Sequence, residues 1–450
     1  MRMKLFSLSV LVLLSTNALA ADVISVNVNL QTAAVVAPSP VEAVTDAATS
    51  ALNTLNALDP TTLTAPQKDL QTILTGIFSA SVSEQQTALK LISPKANTAN
   101  VVVTRRNPVG FNLQSMGSQF GLLQQSAKSQ HFSFLPHLPQ TVRHSRAGFS
   151  PYIFSATDPL EKGSLFDNRL STFFTVNYAS SKQSETQVKT AFNGGASAFT
   201  GGLDYRLNAK SYVGLAMTYA DAKVDLGTGG NLNNKAFSLN TYGAYYLNEN
   251  VTFLGSVGLG TMNYDMSRNI QFTANNTTTN TVASSNPDGS HYNLSLSAAY
   301  DKSFKQYSGG VFTQLNISNA SISSFNETGA GGLNLHVDSQ TVKSQALNLG
   351  GQFRAVYGTR WGVITPYLKL VFTHEFNKDG EKVGAYFIND PSHTMMAFNA
   401  KTQDANYFNT TLGSSFVLPR GVQGFAQLQF TQLIEQYSQT SFTVGVRKEL

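Results

Sequence analysis

The chain predicts an all-β transmembrane fold: an antiparallel β-barrel of about twelve strands, with a luminal helix and a small helical N-terminal region. Three observations lead there. From Arg169 onward, short segments alternate large apolar residues with small or polar ones. In Phe199-Thr200-Gly201-Gly202-Leu203-Asp204-Tyr205-Arg206-Leu207, every odd position except Gly201 is large and apolar. A strand has a period of two, so the two sets point to opposite faces, one suited to lipid and one to water. The joins between these segments alternate in length, and the composition fits as well: 34 Gly, 29 Phe and 17 Tyr against 13% charged residues suit aromatic girdles and a close-packed lumen.

Residues 1–20 read as a secretory signal. Arg2 and Lys4 precede an apolar core from Leu5 to Leu14, and Ala18-Leu19-Ala20 is a small-residue cleavage site. That core is shorter than the roughly 20 residues a spanning helix needs, and no later run reaches ~18 apolar residues, which excludes a helical membrane protein.

Residues 21–106 form a short helical region. Val41, Val44, Ala48, Leu52, Leu55 and Leu58 recur at helical spacing before Pro60, and Leu70, Ile73, Leu74, Ile77 and Phe78 form a second stripe within 65–80. A third helix is expected from a Ser83 cap to just before Pro94. Residues 107–165 hold the luminal helix and a linker. The 107–129 segment is uncharged apart from Lys128 and rich in Gln and Ser, and Gly117 and Gly121 permit close approach in a water-lined lumen. An amphipathic helix packed on the preceding ones is the alternative. Pro136, Pro139, Pro151 and Pro159 keep residues 130–165 free of long regular elements.

Residues 166–450 divide into strands of the usual ~9–11 residues, expected at 169–180, 197–207, 212–222, 236–247, 251–263, 290–300, 310–318, 344–357, 361–373, 407–418, 422–431 and 441–450. Joins near 208–210, 247–250, 301–306, 358–360 and 419–421 are short; 181–196, 223–235, 264–289, 319–343 and 374–406 are long. Short turns facing the periplasm and long loops facing outward require an even strand number. A soluble β-sandwich would carry more charge on its outer face and lacks this rhythm. The chain has no Cys, so stability rests on the closed hydrogen-bonded wall, and a net charge of +5 without a Lys/Arg run gives no support to a nucleic-acid partner.

Several segments together resemble the autotransporter β-domain of Gram-negative bacteria. Ala196, Phe199 and Gly201-Gly202-Leu203-Asp204-Tyr205, followed by Val213-Gly214-Leu215-Ala216, look like that family's second hairpin. Tyr242-Gly243-Ala244-Tyr245, then Gly258-Leu259-Gly260, Tyr264-Asp265 and Arg268, are similar to its middle. Phe325-Asn326-Glu327-Thr328-Gly329, Leu333, Leu335, Gly350, Thr365-Pro366-Tyr367 and Glu375-Phe376 resemble its third quarter. The resemblance implies a twelve-stranded barrel in outer-membrane lipid, plugged by a helix and inserted by the barrel assembly machinery to deliver an N-terminal passenger. Family members commonly end in an aromatic residue, whereas here Leu450 is last and Lys448 points outward. Residues 21–106 are short for a passenger, so a vestigial one is expected.

No enzymatic chemistry is expected. A Gly-Asp-Ser-Leu esterase block and a G-x-S-x-G elbow are both absent, although Asp288/His291 and Asp390/His393 match an Asp-x-x-His pattern. His131, His137 and His144 have no ligand-set spacing. His374 and Glu375 point to opposite faces of a strand, Glu327 and Asp338 belong to a long exterior loop, and Asp204 and Arg206 share the lumen face, where such a pair fixes the plug or the interior. No catalytic, cofactor or metal residue is assigned. The expected function is that of a monomeric autotransporter-like barrel displaying a short N-terminal region and loops, in surface attachment or host contact to an unidentified ligand; the alternative is a porin-like channel.

Overall fold

The computed structural model describes residues 38–99, 103–104, 169–377, 381–400, 405–418, 422–434 and 436–450. The expected signal, the 107–129 helix and the histidines at 131, 137 and 144 lie outside these residues.

Three helices open the described chain: α1 (Pro40–Ala57), α2 (Ala65–Phe78) and α3 (Val82–Ile92). Each starts with a capping box, in which a Ser or Thr hydroxyl accepts from the backbone three residues on and the Glu or Gln there accepts from the cap amide. The pairs are Ser39 with Glu42, Thr64 with Gln67, and Ser81 with Glu84. The third cap is thus Ser81, not Ser83. Both fit the Ser-x-x-Glu/Gln pattern, but only Ser81 has a carboxylate, that of Glu84, at the third position, where it accepts from the cap amide.

The wall comes after the helices. Its strands are β1 (Leu170–Gln183), β2 (Phe192–Asn208), β3 (Ser211–Leu226), β4 (Asn231–Tyr246) and β5 (Val251–Ala274). A hairpin arm β6 (Thr277–Ser285) pairs with β5, and the wall resumes with β7 (Asp288–Phe304) and β8 (Tyr307–Ile322). Two short strands, β9 (Phe325–Asn326) and β10 (Leu335–Val337), precede β11 (Gln340–Ala355), the turn strand β12 (Tyr357–Thr359) and β13 (Gly362–Glu375). Then come β14 (Glu381–Phe387), β15 (Met396–Ala400), β16 (Asn406–Val417), β17 (Val422–Gln432) and β18 (Tyr437–Glu449).

Leaving out β6, β9, β10, β12, β14 and β15, twelve strands pair antiparallel, each with the next along the chain. Pairing of β1 with β18, from Ser171 opposite Glu449 to Gln183 opposite Tyr437, closes the ring. No wall strand is left with an open edge, which is the condition for a sheet in lipid. On β3, Val213, Leu215, Met217 and Tyr219 are exposed on the outside while Tyr212, Ala216, Thr218 and Ala220 are buried inside. The expected alternation therefore sorts lipid from lumen.

The wall strands outrun the expected lengths. β5 has 24 residues, far more than the ~9–11 needed to cross a bilayer, so it stands well above the membrane. It turns at Asn275-Asn276, both at positive φ (44° and 61°), the conformation of a tight two-residue hairpin turn. The long joins expected at 264–289, 319–343 and 374–406 thus carry strands, and β9, β10, β14 and β15 form a separate four-stranded sheet beyond the wall. Among the described residues no helix is long and apolar enough to cross a membrane.

Candidate functional site: the capped mouth and the lumen

The helices dock on the long-loop end of the barrel. Val44, Leu55, Leu70, Leu74, Ile77 and Ile92 are fully buried in one core with Ile270 and Phe272 of β5, Leu335 and Val337 of β10, Phe387 of β14 and Met396 of β15. The helices are amphipathic, and this core supplies the apolar partner that they lack alone.

Arg268 of β5 ties this assembly together. Its Nε donates to Glu327 Oε1 at 3.0 Å, and its Nη2 donates to Glu327 Oε2 at 2.5 Å and to the Leu333 carbonyl at 3.3 Å. Nη1 donates to the Leu91 carbonyl in α3 at 3.0 Å. Glu327 Oε2 also accepts from the Leu335 amide at 3.0 Å. Both side chains are deeply buried, at 5% and 4% exposure. The planar fork of Arg suits a bidentate carboxylate, and the carbonyls take its remaining donors.

Two further ties hold the helices. The Gly332 amide donates to Asp69 Oδ2 at 2.7 Å, next to Gly331 at φ +57°. Leu70 packs so closely on Gly332 that a Cβ there would overlap the Leu70 backbone. Ser50 Oγ of α1 lies 2.7 Å from Thr394 Oγ1. Beyond α3, Lys95 donates to Glu185 Oε1 at 2.7 Å and to the Thr186 carbonyl, while Lys90 reaches the same oxygen at 3.0 Å. Burial lowers the Lys95 ammonium from its usual value despite its acidic partner. Burial alone would raise Glu185, but hydrogen bonds from Lys95, the Ala191 amide and Lys90 outweigh it, so its carboxyl lies below the usual range.

Past this point the chain enters the lumen. Ala96, Ala99 and Val103 pack among Ala196, Ala198, Ala220 and Ala222, small residues that leave room for a segment inside the wall. Thr104 Oγ1 meets Tyr264 Oη at 2.6 Å. The wall's inner face then carries a belt of neutral polar pairs. Asn177 bonds to Thr443 (2.7 Å), Thr200 to Thr218 (2.9 Å), Gln314 to Ser295 (2.8 Å) and Thr373 to Asn348 (2.7 Å). Ser238 and His291 meet at 2.9 Å across Gly260, where any Cβ would overlap both.

Toward the short-turn end the lining becomes aromatic and charged. Arg447 donates from Nε to Asp204 Oδ2 at 3.0 Å and from Nη2 to Ser171 Oγ at 2.6 Å, and Tyr242 donates to Asp204. The Phe173 and Tyr242 rings lie over Gly202 and Gly214, so a Cβ at either glycine would run into a ring. Farther round the wall, Gln352 donates to Asp301 at 2.8 Å and Tyr367 to Gln427 at 2.8 Å.

Asp204 is in the lumen as expected, but its salt-bridge partner is Arg447 rather than Arg206, which stands across from Tyr212. Alternation in 442–447 places Thr443, Gly445 and Arg447 inward, a signal sufficient to have found this Arg. The Arg268–Glu327 pair spans segments about sixty residues apart, and nothing local announces it. Asp288 accepts from Asn263, and His291 faces Ser238. Asp390 accepts from Ser392 and from the Thr394 amide, shaping the turn that holds His393 at φ +46°. Glu375 accepts from Ser344 and the Gln345 amide, whereas His374 meets Asn406. Asp338 lies 3.7 Å from His336. Among the described residues no cluster of His, Cys, Asp and Glu is arranged to hold a metal.

The autotransporter β-domain family model matches residues 172–429, more than half of the chain. No curated protein matches it. Among solved structures, the chain is similar to the translocator domain of autotransporter NalP from Neisseria meningitidis. That match is 13% identical, covers 63% of this chain and 89% of that chain, and has a TM-score of 0.51. The β-domain of the Bordetella autotransporter BrkA matches at 15% identity, 63% and 100% coverage and TM-score 0.47. A COG4313 outer membrane channel from Pseudomonas putida F1 matches at 14%, 64% and 97%, with TM-score 0.36. The closed twelve-strand wall, with its lipid-facing outer side and polar lumen, and the family match over 172–429 together make this chain a member of the autotransporter β-domain family, an outer-membrane barrel of Gram-negative bacteria.

Proposed function

We propose that this barrel displays its N-terminal region as a folded cap on the outer face of the membrane, so that helices and long loops form one surface for attachment or host contact. The observation carrying this reading is Arg268, which bonds a wall strand to the exterior loop through Glu327 and to α3 through the Leu91 carbonyl. A passenger meant for release would gain nothing from a buried bidentate ion pair that holds its docking surface to the wall. The barrel acts as a monomer, inserted by the barrel assembly machinery. Cells expressing the full chain should adhere to host-cell layers several-fold better than cells expressing a chain lacking residues 40–92. Equal adhesion, with equal amounts of barrel in the membrane, removes the display role.

The neutral polar belt favours a second reading, a porin-like channel. The cap and the luminal residues 96–99 and 103–104 oppose it. In planar bilayers the full chain should conduct poorly and the chain lacking residues 40–104 better. Large stable currents from the full chain would favour the channel.

A further inference from the structure

The short-turn rim carries a ring of cations. The β2–β3 turn exposes Lys210, the end of β7 Lys302, the β7–β8 turn Lys305, and the β11–β13 turn Arg360. Arg169 and Lys448 are exposed where the wall begins and ends. Among the described residues the exposed acid at this rim is Glu249; Asp301 is buried, and Glu449 is paired with Arg447. None of the six described cations is in an ion pair among the described residues. The opposite end mixes both signs in Lys182, Lys223, Asp225, Lys235, Asp265 and Asp288, all exposed.

We infer that this ring binds the phosphate groups of anionic phospholipids in the periplasmic leaflet. Three observations favour lipid over a periplasmic protein. The cations are spread around the circumference, on turns separated by several strands, which matches a surrounding leaflet and not a one-sided footprint. They adjoin outward aromatics, Tyr245, Tyr300, Phe304, Tyr357 and Trp361, of the kind that sit at headgroup height. Lys448 lies in the lipid-facing row itself, between Val446 and Leu450, where its stem can run along apolar surface and its ammonium reach the interface. Phosphate beside several cations is the expected electrostatic match.

Trp361 is the chain's single tryptophan, stands beside Arg360 and is 69% exposed, so it reports on the adjoining lipid. Full-length protein is reconstituted into vesicles containing equal fractions of brominated phosphatidylglycerol or brominated phosphatidylcholine. The glycerol lipid should quench Trp361 with an apparent affinity at least about threefold higher. The preference should vanish at about 1 M salt and in a Lys210→Gln/Lys302→Gln/Lys305→Gln/Arg360→Gln variant whose heat-dependent gel shift shows a folded barrel. Inorganic phosphate at the same concentration should leave the preference in place, which separates leaflet binding from capture of the free anion. Equal quenching by the two lipids, no quenching by either, or a preference that survives in the folded variant overturns the inference.

Discussion

Arg268 joins segments that lie far apart in the chain: its own strand, Glu327, and the carbonyls of Leu91 and Leu333. Removing one partner of a buried pair strands the other charge without water, at a cost of about 3–5 kcal/mol. Glu327→Gln should therefore loosen the cap without opening the wall. Hydrogen exchange in α3 should accelerate by two orders of magnitude or more, while the heat-dependent gel shift of the barrel is unchanged. Exchange unaltered in α3 would mean that the apolar core alone holds the cap. Glu185 makes the same junction acid-sensitive. Its carboxyl is depressed in the fold, so its contribution is complete above the usual Glu value and is lost as pH falls through the lowered one. The burial penalty on Lys95 stays constant across that acid range, because Lys95 titrates far above it. Protection of the 95–97 amides, measured as exchange relative to the intrinsic rate at each pH, should fall between neutral pH and about pH 3, and Glu185→Gln should flatten that fall.

At the scale of elements, the helices and the wall answer to different forces. Leu74 of α2 is fully buried in the cap core, and Leu74→Ala should cost about 2–5 kcal/mol through lost transfer energy and a cavity. Ser81→Ala should cost about 1 kcal/mol by removing one cap bond. Both losses should appear as protease sensitivity of the cap on intact cells, with the larger effect from Leu74. A matching loss of barrel resistance to heat would contradict a cap that unfolds separately from the wall. These elements also differ in how far the chain announces them. All twelve wall strands are legible in the sequence, because Val213, Leu215, Met217 and Tyr219 repeat a two-residue period that lipid enforces without help from any partner. The strands of the exterior sheet are not. β9 and β10 are two and three residues long; β10 pairs with β14 and β9 only with β10, and Leu335 and Val337 of β10 share their core with helices far earlier in the chain. The choice of Ser81 over Ser83 turns on one carboxylate, a difference that the Ser-x-x-Glu/Gln pattern does not resolve.

The whole molecule is a closed wall with its outer mouth covered by the chain's own N-terminal region. The wall needs the membrane, since its outward row of Phe, Leu and Tyr has no other partner, whereas the cap needs the raised β5–β6 arm and the exterior sheet with its loops, which supply 11 of the 25 buried residues of its core. The chain contains no cysteine, so a pair introduced at the junction reads out without background. Ser50 of α1 and Thr394 of the loop before β15 bring their hydroxyl oxygens to 2.7 Å, close enough for two cysteines in their places to bond with little movement. A Ser50→Cys/Thr394→Cys chain, expressed in growing cells, should form an intramolecular disulfide that a membrane-impermeant reductant opens from outside. Two accessible but unlinked thiols, or a fragment bearing the α1 thiol in the medium while the barrel stays in the membrane, would contradict a cap that remains on the barrel mouth.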